Sequence, residues 1–416
     1  MFGLIAFLSV YRLLFTVFCI FFVFDFVFVL FLDKIFSFDN NNTFLLCSLN
    51  QIFHYLCSMK RLLFSLLAVF ISFGTMQAQR IEVVDTEGNP IPLVYLLTEE
   101  GNLVGSTDMN GVLADAKGEK TLAVTHVAYK PKLVEVSSLV NGRIVLEDLG
   151  YDIKEVVITP KPLIYVETYY RAYAYINDSL RFYQAGIMPN SYDPVKQKIS
   201  TGSHTNNYGD FCPAFGANIT WGARVMEFKA GEITKMTSTD FMPNGRIDQK
   251  YHSKTESSGS GRWAIRIPDG IVGRVERTDN QLRVSVDAGS LQMYANKVDG
   301  KDRLLKKRQK IEYEYQFTEI VNCDADGDSE VGDLVMYSHD WKWNGRKGRY
   351  RFIIETYTVD RGYMTKAEYS DKKKELKKTY KAVMTLDALE DFAQQHGIPA
   401  LSPTMRRAIL GLKSKK

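Results

Sequence analysis

Cysteine is scarce in this 416-residue chain, five in all, and Cys19, Cys47 and Cys57 fall in an apolar N-terminal segment. Only Cys212 and Cys323 remain beyond it, far apart in sequence. That excludes the dense disulfide framework of small secreted domains and leaves open whether these two pair. Excess charge of one sign is missing as well: 52 Lys and Arg stand against 48 Asp and Glu, a net +4. A nucleic-acid binder would be more basic and would gather that charge on one face, so no nucleic-acid partner is expected. Histidine numbers six. His204, His252, His339 and His396 are scattered, and no H-x-x-E or H-x-H pair offers the tight ligand spacing of a zinc hydrolase. No G-x-S-x-G elbow appears. The glycine-rich SSGSG at 257–261 lacks the lysine and following helix of a phosphate-binding loop. With no catalytic or cofactor motif, the sequence predicts a protein that is not an enzyme and carries no cofactor.

Aromatics, by contrast, are plentiful at 12%, with 23 tyrosines. More than half of the 25 phenylalanines precede Met59, a bias foreign to the rest of the chain. Residues 1–32 are apolar and long enough to span a bilayer, which takes roughly 20 residues, but Arg12 and Asp25 interrupt them. A second signal begins at Met59: Lys60 and Arg61, an apolar run over 62–73, then a small and polar exit with cleavage expected after Ala78. That is the pattern of a secretory signal peptide. Residues 59–78 are therefore read as the signal and 1–58 as an upstream extension. The alternative is an inner-membrane anchor at 2–32 holding the same domains on the periplasmic side.

Residues 80–159 alternate short apolar runs with turn formers: IEVV, then DTEGNP, LVYLL, STDMNG, TLAVTHVAY, and at the end IKEVVIT. Asn110-Gly111 is a strong hairpin signal, since both central residues of a type I′ turn need positive φ. About seven short strands punctuated by turns predict a β-sandwich. The order Asp85, Gly88, Pro90, Ile91, then Thr107, Asp108, Asn110, Gly111, then Val127-Ala128-Tyr129, resembles the carboxypeptidase regulatory-like domain. The resemblance implies a transthyretin-like sandwich of seven strands, found as an N-terminal module on Gram-negative envelope proteins, TonB-dependent transporters among them. It departs at Glu82, where glycine is usual, and at Ala128, where a Gly-Tyr pair is usual. Such a location implies the periplasm or the outer membrane. The family name carries no chemistry here: His126 is the module's lone histidine and sits in an apolar run, as a core or edge histidine would.

The roughly 255 residues that follow are too few for a 22-stranded transporter barrel. After a stiff linker at 160–162 (PKP), LIYVETYYRAYAYI is ambiguous. Tyr169, Tyr173 and Ile176 share a helical face; Tyr169, Arg171, Tyr173 and Tyr175 share a strand face. A turn is expected at Asn177-Asp178 and a strand over 180–187. From 225 to 359 strands and polar turns repeat, with hairpins expected at Asn244-Gly245 and Asn344-Gly345. The C-terminus changes to helices: Thr365 with Glu368 forms a capping box, Gly397 is a stop, and Pro403 opens a last helix. Residues 163–416 thus predict a β-rich α+β domain. Its antiparallel sheet is expected to have six or more strands and strong curvature, a half-barrel like that of the periplasmic lipoprotein carriers being one solution by analogy, with helices on one face.

Chemical candidates are few. Asp324, Asp326 and Asp328 imitate the first ligands of a calcium loop, but Ser329 stands where glycine is needed and Val335 where a bidentate carboxylate is needed. They are read as a solvated hairpin tip, with calcium the lesser alternative. Basic clusters at 301–310, 372–381 and 406–416 are read as solvated faces, with docking to anionic headgroups as the alternative. Trp341, Trp343 and Tyr337 form an aromatic stripe, read as sheet packing rather than a sugar platform. The expected function is an exported, non-catalytic envelope protein binding a partner protein or glycan through its downstream domain. The alternatives are an unrecognised hydrolase and a periplasmic lipid or lipoprotein carrier.

Overall fold

The computed structural model describes residues 80–151, 162–196, 198–201, 205–208, 243–278, 280–291, 313–324, 333–345, 348–379 and 385–413. The N-terminal apolar segment, the signal peptide, Cys212, the strand expected near 153–158 and the basic cluster at 301–310 lie outside them.

β1 (Ile81–Val84), β2 (Tyr95–Leu97), β3 (Leu103–Ser106), β4 (Val112–Leu113), β5 (Thr121–His126), β6 (Tyr129–Glu135) and β7 (Arg143–Val145) form two small sheets. Their orders are β4-β1-β7 and β3-β2-β5-β6, and only β1 and β7 run parallel. Inward residues of both sheets, such as Ile81, Val83, Leu96, Leu122 and Ile144, belong to one apolar core. Asn110-Gly111 does not close a hairpin, because β3 and β4 belong to different sheets. Asp108 accepts the Asn110 and Val112 amides at 2.8 and 2.9 Å, bending the chain from one sheet to the other. Gly111 has φ +72, and a Cβ there would sit 2.6 Å from the Val83 carbonyl. Only glycine fits.

The remaining strands make one open, eleven-stranded sheet, with every pair antiparallel. They are β8 (Leu163–Ile176), β9 (Ser179–Asp193), β10 (Lys198–Thr201), β11 (Thr205–Tyr208), β12 (Lys254–Gly259), β13 (Arg262–Ile267), β14 (Gly270–Arg277), β15 (Gln281–Asp287), β16 (Tyr313–Asn322), β17 (Leu334–Gly345) and β18 (Gly348–Met364). The order is β10-β9-β8-β18-β17-β16-β15-β14-β13-β12, with β11 also on β9; the sheet does not close into a barrel. The ambiguous tyrosine-rich segment is strand β8. Asn177 and Asp178, with φ of 50° and 64°, form the mirror-type turn that matches strand twist and joins β8 to β9. Two expected turns differ. Asn244-Gly245 opens helix α1 (Arg246–Tyr251), because the Asp248 carboxylate accepts the Asn244 amide at 3.1 Å and the Thr255 amide at 2.9 Å. Asn344 and Gly345 end β17 in register with Arg349 and Gly348, so the β17–β18 hairpin bends after them.

Helices α2 (Lys366–Thr379), α3 (Leu386–Gln395) and α4 (Pro403–Lys413) follow. The Thr365–Glu368 capping box forms in both directions, at 2.7 and 3.2 Å. Strand alternation divides the large sheet's side chains between two faces. Tyr169, Tyr173, Ile353, Tyr357 and Met336 share a core with the sandwich and with Leu389, Ala393, Met405 and Ile409 of the helical end. Their neighbours Tyr170, Ala172, Ala174, Phe352 and Ile354 pack as a separate cluster with Tyr337, Trp341 and Trp343. The sandwich and the C-terminal helices thus cover one face of the sheet.

Candidate functional site

Arginines from four strands reach from the covered face to the sandwich. Arg262 (β13) donates to Glu87 at 3.0 Å, and Arg274 (β14) to the Met109 carbonyl and, at 3.3 Å, to Asn110. Arg283 (β15) donates to the Tyr129 hydroxyl and to Asp148, each at 2.6 Å. Arg351 (β18) lies against Asp340 with two bonds of 3.0 Å from Nε and donates to the Ser106 hydroxyl at 2.9 Å. A planar guanidinium suits such sites because several donors lie in one fixed fork. The register puts all four on one face.

A partly open cavity of about 30 Å³ lies in the same interface. His126 and Tyr129 of the sandwich, Arg171, Tyr173, Glu355 and Tyr357 of the sheet, and residues 399–402 before α4 contribute to its walls. Tyr173 donates to Glu355 at 3.1 Å. Burial raises the Glu355 carboxyl above its usual range, against the opposing pull of Arg171 and of the Tyr173 hydrogen bond. Burial, assisted by the Arg283 charge, pushes His126 down to about 3 despite Asp148 nearby. Burial also lifts Tyr129 to about 12. At neutral pH the histidine and tyrosines are uncharged, and Arg171 is the cation of the cavity wall.

Arg171 is 3% exposed. Its Nε donates to the Tyr169 hydroxyl at 3.3 Å, its guanidinium lies 5.3 Å from that ring's centre, and its Nη2 has no partner. Burial works against its charge, and the hydroxyls of Tyr169, Tyr173, Tyr183 and Tyr357 around it favour that charge. His126 is also half satisfied. Its Nδ1 accepts the Ala128 amide at 3.1 Å, which leaves the ring proton on Nε2, and Nε2 has no partner.

The opposite face holds a second buried polar group. Tyr315 and His339 Nδ1 are 2.8 Å apart, and His339 Nε2 is 3.1 Å from Glu319 Oε1. His339 and Glu319 are 0% and 1% exposed, and the imidazole is ringed by Tyr337, Phe317 and Trp341. Burial holds the Glu319 carboxyl well above its usual range. When Glu319 is protonated toward Nε2, the Nδ1 proton is left for the Tyr315 oxygen; the Glu319 Oε2 atom is without a partner.

Of the residues singled out by sequence, Asp324 follows β16, while Asp326 and Asp328 lie outside the described residues. Among the described residues no group of three or more His, Cys, Asp or Glu is placed to hold a metal. Cys323 is a free thiol. Trp341 stacks on Tyr315 and Phe352 with ring centres 5.2 and 5.9 Å apart, and Trp343 on Tyr350 at 5.4 Å, as expected of cross-strand packing. In the C-terminal basic clusters, Lys374 pairs with Asp371 at 2.9 Å and Arg406 with Glu390 at 3.1 Å. Among the described residues no helix is long and apolar enough to cross a membrane, which says nothing of strands. Sequence reasoning did not pick out Glu355, Glu319 or the roles of Arg171 and His339. The one available signal was Arg171 on a strand face otherwise made of Tyr169, Tyr173 and Tyr175.

No protein-family model matches this chain, and no curated protein matches it by sequence.

Proposed function

We propose that this chain is an exported envelope protein that binds a ligand or partner without transforming it, through the cavity between its sandwich and its large sheet. Export rests on the signal-peptide pattern at 59–78, and an envelope location on the resemblance of 80–159 to the carboxypeptidase regulatory-like domain. The binding reading is carried by one observation: Arg171, a fully buried cation with an unpaired donor, lines a partly open cavity to which sandwich, sheet and C-terminal segment all contribute. Native proteins seldom leave such a group unsatisfied, so each exception asks for an explanation. Sites for small ligands favour aromatic walls with a few fixed polar groups, and this cavity has both.

The test uses the protein from Gln79 onward, screened by thermal shift against small metabolites, with each stabilising compound analysed after incubation. Recovery of the compound unchanged supports a binding protein. Product accumulating above background would overturn the non-catalytic part. N-terminal sequencing of the protein from cell fractions checks export, and a cytoplasmic form that keeps residues 59–78 would refute it.

A further inference from the structure

Three arginines of the large sheet's covered face are largely withdrawn from solvent, Arg171 the most and Arg283 the least, and they are not treated alike. Arg283 has Asp148 at 2.6 Å and Glu276 at 3.5 Å, and Arg351 has Asp340. Arg171 has no carboxylate within ion-pair distance among the described residues. Glu355, the acid that shares its cavity, is engaged by the Tyr173 hydroxyl instead. Arginine cannot escape burial by losing its proton, and Glu355, opposite Arg171 in the β8–β18 register, pulls on it from beyond ion-pair distance, so the guanidinium has room for a closer counter-charge. The cavity that Arg171 lines is the place left for one.

His126 gives an independent indication of the same chemistry. Because its Nδ1 accepts the Ala128 amide, the unpaired Nε2 is a donor. Two side chains on opposite walls, one from β5 and one from β8, thus each hold an unused N–H, and both line the cavity. What two unused donors and one positive charge lack is a singly charged group with two acceptor oxygens. A doubly charged phosphate would bring one charge more than Arg171 neutralises, beside Glu355. We infer that the cavity binds the carboxylate group of a small monocarboxylic acid, with Arg171 supplying the counter-charge and His126 a second donor. This rests on the reading of the cavity as a binding site. The aromatic walls, Tyr129 and Tyr357 among them, accept a short apolar body behind the carboxylate.

The experiment takes the protein from Gln79 and titrates it with acetate, acetamide, phosphate and chloride at constant ionic strength. It reads the melting temperature and, for carbon-13-labelled acetate, the width of the ligand's own NMR line. Acetate should raise the melting temperature saturably and broaden its line, and acetamide, phosphate and chloride should do neither. Arg171→Met should weaken acetate binding roughly tenfold or more, the effect of losing one charge-assisted contact, while melting without ligand no lower than the parent. If that variant does not fold, the acetate line on the parent protein, displaced by unlabelled propionate, decides alone. Acetamide binding as well as acetate would overturn the carboxylate assignment and leave the binding reading standing. Binding of none of the four would overturn the carboxylate assignment, and only an empty metabolite screen as well would remove the binding reading.

Discussion

On β18, Arg351 turns toward the sandwich and meets Asp340, while its neighbour Phe352 turns the other way and stacks on Trp341. The same alternation repeats on β8, where Arg171 faces the sandwich and Tyr170 and Ala172 face away. One face is thus held by cations and their partners, the other by rings with the buried Tyr315–His339–Glu319 chain among them. The difference is one of partners. The covered face has a second module to supply further acceptors, so charge is tolerated there; on the other face the polar chain is confined to two adjacent strands, leaves one Glu319 oxygen without a partner, and has its carboxyl raised well above the usual range by burial.

The hardest test of that contrast is to strand a charge. Asp340→Ala leaves Arg351 buried without its carboxylate and should cost about 3–5 kcal/mol in denaturant unfolding, while Asp340→Ala with Arg351→Met should recover much of it. An Asp340→Ala variant within about 1 kcal/mol of the parent would mean the pair is solvated. Next comes the opposite face. Glu319 has its carboxyl raised by folding, so its contribution is complete below the unfolded value near about 4.3 and is lost as pH rises toward its folded value. The slope is at most about 1.4 kcal/mol per pH unit for one proton. Glu319→Gln should flatten that decline, leaving the share due to Glu355 and Glu167, whose carboxyls burial also raises. An identical slope in the variant would refute a neutral Glu319.

The sandwich should show the reverse sign. His126 is lowered to about 3, so its contribution is complete above about 6.5 and drains away as pH falls from there toward its folded value. His126→Asn should reduce the acid-side loss measured between those limits, and an unchanged acid limb would show that this histidine titrates normally. Smallest of all is an exposed pair. Lys130 and Glu147 lie 3.1 Å apart at the surface, and Glu147→Ala should change stability by less than about 1 kcal/mol.

Local chemistry made much of the fold legible. The turn at Asn177-Asp178, the Thr365–Glu368 box, Gly397 and Pro403 each act through atoms a few residues away, and all stand where expected. The Asn-Gly turns were less reliable because their outcome depends on distant or competing partners: Val83 for Gly111, Asp248 for Asn244. The site was least legible. Arg171 resembles Arg351 in sequence, and only the pairing of β8 with β18 and the docking of the sandwich show that Arg351 has an acid in ion-pair contact and that Arg171, among the described residues, does not. His339 counted as one of several scattered histidines because Glu319 lies 20 residues away, on the neighbouring strand.

The place of β18 in the sheet bears on the order of assembly. β12 to β17 can zip as a succession of near neighbours, and β8 with β9 is a hairpin, but β8 finds its second partner only when Gly348–Met364 arrives. Contacts so distant in sequence form slowly, and a long unpaired edge is prone to aggregation until they do. A chain synthesised N-terminus first would therefore emerge with β8 waiting. A nascent chain ending before Gly348 should be cut by protease within β8–β9, and the full-length chain should resist there. The last long strand to be made is the one that joins the two halves of the sheet.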